Sequence, residues 1–189
     1  MSLGATGKLG DSVVFMTWKG LNTVRKYVVP ANPKTYGQLD QRALVTAAVT
    51  EFHGALYNAL DKGAFNTLAG IGKKTMSGFN RFVKEHVDEA ILGNTWKRIN
   101  HGGSYAVTTT SFKVGCSKAA AGNVPRIRWG TSKTALLTSA NFVNIGGNDW
   151  EYNIVGLTAN TLYYFSMDVG TSGTDWGRLG IYSQRTAAV

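Results

Sequence analysis

Three groups of residues have types and spacings that chemistry could use. The first is GATGKLG, where Gly4, Gly7 and Gly10 are spaced as in a dinucleotide fingerprint. That fingerprint operates only where a buried strand delivers the glycine turn to a helix N-terminus, so that amides and helix dipole face a pyrophosphate. Only Met1, Ser2 and Leu3 precede the run, and the adjoining DSVVFMTW (Asp11 to Trp18) is β-branched and aromatic, a strand rather than a helix. The run therefore reads as a flexible glycine-bearing arm. The second group is GKKT in GIGKKTMSG, which lacks the upstream glycine of a phosphate loop because Thr67 stands there. The third is a scatter of nucleophilic, acidic and metal-ligating side chains. His53, His86 and His101 have no neighbouring histidine or cysteine at ligand spacing. Cys116 lies between small residues in a strand-like run, the setting of a buried, inert thiol. Asp149 and Glu151 flank Trp150 as a carboxylate pair would, but no second acidic cluster accompanies them. No catalytic constellation emerges. The expectation is a protein that is not an enzyme, with no cofactor, no metal and no small-molecule substrate.

Binding chemistry has more material. Lys73, Lys74, Arg81 and Lys84 gather near the start of a predicted helix, with Arg25 and Lys26 as extensions and Trp18 and Phe79 as stacking or wedging rings. This is the pattern of an architectural DNA-binding protein, although Glu85, Asp88 and Glu89 interleave with it. Trp150 and Trp176 offer a second alternative, stacking platforms of a carbohydrate-binding module; rings of this size at strand edges are more often core.

The totals bound these readings. The chain has 189 residues and a formal charge of +9, divided between residues 1–100 (13 basic, 7 acidic) and residues 101–189 (7 basic, 4 acidic). No run of like charges concentrates the excess, so the balance permits contact with nucleic acid without demanding it. A single cysteine excludes an intramolecular disulfide. There is no charged start followed by an apolar run, and no apolar stretch is long enough to span a bilayer. The expectation is synthesis in a cytoplasm without a signal peptide, and no membrane insertion.

The elements that must position these residues change period along the chain. Ser12 to Val29 are two strand-like runs meeting at Lys19-Gly20, a hairpin that needs a partner to be stable. After Pro30 and Pro33, a helix is predicted from about Tyr36 to Leu60, with Leu44, Ala48, Phe52 and Leu56 on one stripe joined by Ala47 and Ala55. Asp61 is read as the cap of a short helix carrying Ala64, Phe65, Leu68 and Ala69. Ser77 starts a third, with Phe79, Phe82, Val83 and Val87 on one face and Gly93 as its stop. From Ser104 the helical period gives way to short runs separated by Gly, Asn, Thr and Ser, as in an all-β sandwich. The reading is α+β in two domains: residues 1–98, a β-ribbon with a small helical assembly domain, and residues 104–189, a sandwich, with the boundary in NTWKRINHGG.

Two resemblances sharpen this. WEYNIVGLTANTLYYFSMDVG resembles a fibronectin type III domain over about 85 residues, with Leu157, Thr161 and Tyr163 in the places of its tyrosine corner. The early core tryptophan usual in that family is missing from SFKVGCS; the nearest large ring is Trp129. GKLGDSVVFMTWKGLNTVRKYVVPANPKTYGQLDQR resembles the start of a family of phage, prophage and bacterial proteins. The matching residues are Gly10, Asp11, Trp18, Lys19, Gly20, Val24, Arg25, Pro30, Asn32, Pro33, Thr35, Gln38 and Arg42. This resemblance implies a virion structural protein, capsid- or tail-associated, of decoration or adhesion type. Its partners would be copies of itself and other virion proteins. Physics permits this, since a ribbon with open backbone edges docks on neighbours. Trp18, Arg25, Tyr27 and Asn32 are the candidates for the subunit interface.

Overall fold

The structure, a computed structural model, describes residues 6–29, 34–54, 56–71, 76–169 and 173–189. It divides into two compact units, Met1–Leu39 and Asp40–Val189.

The first unit is a three-stranded antiparallel sheet of β1 (Gly7–Leu9), β2 (Val13–Trp18) and β3 (Leu21–Lys26), in that order. The hairpin turn is two residues long, and both Lys19 (φ 49°) and Gly20 (φ 81°) are left-handed, the backbone whose twist matches that of the strands it joins. The glycine-bearing run expected to be a flexible arm is a strand over residues 7–9, with Gly7 opposite Phe15 and Leu9 opposite Val13. Pairing to an apolar neighbour supplied what local propensity did not.

The second unit joins helices to a sandwich. α1 (Tyr36–His53) begins in the first unit and ends in the second. It stops seven residues short of the predicted end, and α2 (Ala59–Ala69) starts separately. The cap of α2 is Asn58 rather than Asp61: the Asn58 side chain accepts the Asp61 amide at 2.8 Å, and the Asp61 carboxylate accepts the Asn58 amide at 3.2 Å. This reciprocal box satisfies two of the donors that every helix start leaves bare. α3 (Gly78–Ile91) is capped by Ser77, whose hydroxyl accepts the Asn80 amide. A short parallel pair, β4 (Thr95–Trp96) with a strand near the far end of the chain, ties the helices to the sandwich.

The sandwich strands are β5 (Asn100–Tyr105), β6 (Phe112–Ser117), β7 (Pro125–Gly130), β8 (Thr138–Asn141), β9 (Val143–Gly146), β10 (Asp149–Ile154), β11 (Leu162–Val169), β12 (Asp175–Trp176, the partner of β4) and β13 (Arg178–Arg185). One sheet runs β5-β6-β10-β9 and the other β13-β11-β7-β8, each antiparallel throughout. In fibronectin and immunoglobulin terms these are A-B-E-D and G-F-C with an added C′ strand, so the chain is α+β with a fibronectin type III-like sandwich. Alternation is clean where one face is covered: in β6, Phe112, Val114 and Cys116 are buried and the residues between them are not.

The expected division at residues 98–104 differs from the observed one at residues 39–40. Phe52, Phe65 and Phe82 of the helices share one core with Ile99, Val114, Phe165 and Leu179. A Cβ on Gly180 of β13 would overlap the Ala64 and Phe65 backbone of α2. Glycine is what lets helix and strand approach so closely. The helical layer covers apolar surface of the sandwich, so separating the two would expose both.

Candidate assembly surface

β2 and β3 pair from Trp18 opposite Leu21 to Val13 opposite Lys26, while β1 places Lys8 opposite Val14. Side chains directly opposite share a face, and successive ones alternate. One face therefore carries Leu9, Val13, Phe15 and Val24 with Thr17, Asn22 and Lys26. The other carries Val14, Met16, Trp18 and Leu21 with Lys8, Thr23 and Arg25, and with Tyr27 just beyond the strand. Both faces carry apolar side chains beside polar and charged ones. None of the strand residues in this sheet is buried; Trp18 is 60% exposed and Val24 61%. The Lys8 ammonium pairs with Asp11 at 2.5 Å and lies over the Tyr27 ring, 4.1 Å from its centroid. Trp18, Arg25 and Tyr27, drawn from the sequence as interface residues, thus fall on one face of one sheet. Asn32 lies outside the described residues. Within α1, Tyr36, Leu39 and Val45 face solvent, and burial begins only at Ala48 and Phe52.

The other candidates are accounted for locally. Arg81 binds Glu85 at 2.7 Å and Lys84 binds Asp88, each pair one helical turn apart, so these two cations carry their own counter-charges. Lys73 and Lys74 lie outside the described residues. Phe79 is half-buried and packs against the core, its ring centroid 5.3 Å from that of Phe52. Trp150 is 6% exposed and its Nε1 donates to the Lys118 carbonyl at 2.9 Å; its ring is core, not a sugar platform. Trp176 is half-buried beside Trp96.

Glu151 is taken by Lys113 at 2.8 Å and by the Tyr105 hydroxyl. Those two bonds hold its carboxyl below the usual carboxylate range, Lys113 most of all. Burial pushes the Cys116 thiol up to about 12, which leaves it protonated and unreactive. No cluster of three metal-ligating side chains occurs among the described residues, nor a helix long and apolar enough to cross a membrane. A cleft of about 480 Å³ is lined by Trp96, Lys97, Arg98, His101 and Lys118. Glu51 neutralises Arg98, and Asp175 neutralises Lys97 at 3.4 Å.

Two structural devices set the second unit. Tyr163, at the start of β11, accepts the Thr158 amide at 3.0 Å through its hydroxyl, with Leu157 buried alongside. The neighbouring Thr161 amide donates to the Thr186 hydroxyl at 3.0 Å. This is the geometry that defines a tyrosine corner. Sequence reading missed the other device. Asp61 is wholly buried, and beyond the Asn58 amide its carboxylate accepts the amides of His101 and Gly102, both at 2.9 Å, and the Tyr182 hydroxyl at 2.6 Å. One side chain thus joins α2 to both sheets. Burial and the adjacent carboxylate push the Tyr182 phenol far up, so it stays protonated and donating. The asparagine-x-x-aspartate spacing signals the box, but the partners 40, 41 and 121 residues away leave no trace in local sequence.

No family model matches the sequence, and no curated protein matches it. Solved structures similar to the chain include β-sandwich domains. A computer-based redesign of a β-sandwich protein is 12% identical, covers 48% of this chain and 90% of its own, and has a TM-score of 0.40. The FN1–FN3 domains of chicken CNTN1 are 14% identical over 50% of this chain and 31% of theirs, with a TM-score of 0.38. Domains d3–d4 of the rat CD45 extracellular region are 18% identical over 49% and 50%, with a TM-score of 0.37. The class of the second unit rests on its own strand order: a fibronectin type III-like sandwich closed by helices.

Proposed function

We propose that this chain is a structural subunit, a phage- or prophage-derived virion component of the kind its N-terminal motifs resemble, and that it works by protein–protein contacts. The ribbon sheet is the contact segment; the sandwich is the decoration or adhesion module. One observation carries the reading: a sheet with apolar side chains on both faces buries none of its own strand residues. Three strands gain stability from a covered apolar face, and exposed apolar sheet of this kind marks an interaction surface. Trp18, Leu21 and Tyr27, beside Arg25, have the aromatic-plus-arginine character of interface centres.

The test is the oligomeric state of the full chain by light scattering and electron microscopy. Discrete rings, tubes or small oligomers are expected, and Trp18→Ser with Leu21→Ser abolishes them while leaving the thermal transition of the sandwich in place. An inert monomer that binds no virion protein overturns the reading. Gel shift against duplex DNA at about 50 and 200 mM salt tests the rival: steep, salt-sensitive binding favours it.

A further inference from the structure

We infer that the cleft of about 480 Å³ in the second unit binds a small organic anion through its carboxylate or phosphate group. The inference goes beyond the assembly reading and concerns the second unit alone, so either can fail without the other.

Three segments of chain meet at this cleft: residues 96–101, which lead from β4 into β5, the end of β6 with the turn after it, and Asn148 just before β10. Lys97, Arg98 and Lys118 line it, and among the described residues no carboxylate does. The acids that pair with Arg98 and Lys97, Glu51 and Asp175, lie outside the lining. Three cations against two carboxylates leave one positive charge in excess.

The cation left over is Lys118. It is 3% exposed, and its ammonium donates to the carbonyls of Ala119 at 2.7 Å and Ala121 at 2.9 Å. Neutral carbonyls do not cancel its charge, and burial holds its pKa below the ordinary lysine value. A charge kept out of water is costly without a counter-ion. Tethering the 119–121 turn uses two of the three ammonium donors and explains neither the third nor the two cations beside it. Arg98 spends Nε and Nη2 on Glu51. Its Nη1 has no acceptor among the described residues, and a guanidinium edge takes an oxyanion in parallel bonds.

The rest of the wall sets the ligand's size and body. The volume falls within the range of small-molecule pockets, about 300–1,000 Å³. Trp96 and Leu56 give apolar surface, while Ser117 and Asn148 give polar groups. A nucleic-acid strand needs cations spaced along a groove; these three converge on one cleft.

Residue-resolved lysine acetylation of the full chain, read by peptide mass spectrometry at constant ionic strength, tests this. The probes are glucose 6-phosphate, glucuronate and, as the uncharged control, glucose. The side chains of Lys97 and Lys113 are each 40% exposed and each paired with a carboxylate, so Lys113 reports what ionic screening alone does. Glucuronate or glucose 6-phosphate is expected to slow acetylation of Lys97 and not of Lys113, half-maximally at about 1 mM or below, while glucose does nothing. The probe that acts names the group, carboxylate or phosphate. Arg98→Gln and, separately, Lys118→Met are expected to raise that concentration about tenfold, the worth of one charge-assisted contact. The wild-type comparison stands even where a variant fails to fold. Protection of neither lysine, equal protection of both, protection by glucose as well, or protection that persists unchanged in a folded Arg98→Gln variant overturns the inference.

Discussion

The ribbon sheet and the sandwich sheets are built from similar residues and reach opposite outcomes. In β6 every second residue is buried, and in β11 five consecutive residues from Phe165 to Val169 are. In β2, four half-buried residues run in sequence and then give way to exposed Thr17 and Trp18. The sandwich has a second sheet and a helical layer to cover its apolar faces; among the described residues, the first unit holds one sheet and the start of α1, and none of its strand residues is buried. Strand-forming residues are enough to make hydrogen-bonded ribbon, but burial needs an opposing layer. On the function proposed above, a neighbouring protein supplies that layer.

The sharpest way to break this contrast is at Asp61. Asp61→Ala strips the acceptor from the Asn58, His101 and Gly102 amides and the Tyr182 hydroxyl, and should cost about 3–5 kcal/mol in urea unfolding of the second unit. A cost below about 1 kcal/mol would show that helices and sandwich are not locked there. Gly180→Ala forces α2 off β13 and should cost about 2–3 kcal/mol by the same measurement. Tyr163→Phe leaves the Thr158 amide without its acceptor, and about 1.5 kcal/mol is expected.

Alkaline pH probes the same core. The Cys116 thiol ionises near 9 when free and near 12 in the fold, and the Tyr182 phenol is raised from 10 as well. The unfolded chain releases these protons first, so stability is fully present below about pH 9 and falls as pH rises through about 9 to 12. Denaturant midpoints across that range check the sign. The smallest effect is expected in the ribbon: Trp18→Ser should change the unfolding free energy of the second unit by less than about 0.5 kcal/mol while reducing assembly. A large shift would mean that Trp18 is core.

Much of the fold was legible because its signals are local. The turn at Lys19-Gly20, the Ser77 cap and the helix carrying Phe82 and Val87 all follow from spacing within a few residues. The Tyr163 bond spans only five residues. The break between α1 and α2 was not legible, since Leu56 continues the apolar stripe beyond His53 although the chain has left the helix. Nor was β1, whose Gly7 and Lys8 have little strand propensity of their own.

By itself the sequence determined the β2–β3 hairpin, the helix starting at Ser77, the alternation that gives the sandwich one buried face, and the placing of Trp18, Arg25 and Tyr27 on alternate positions of a strand pair. These follow from backbone periodicity, which acts over one or two turns. Only the tertiary structure decided that the helices share a core with the sandwich, that Asp61 binds groups 40 to 121 residues away, and that the ribbon buries none of its own strand residues. Burial and long-range hydrogen bonding depend on which surfaces meet, and no local period encodes that.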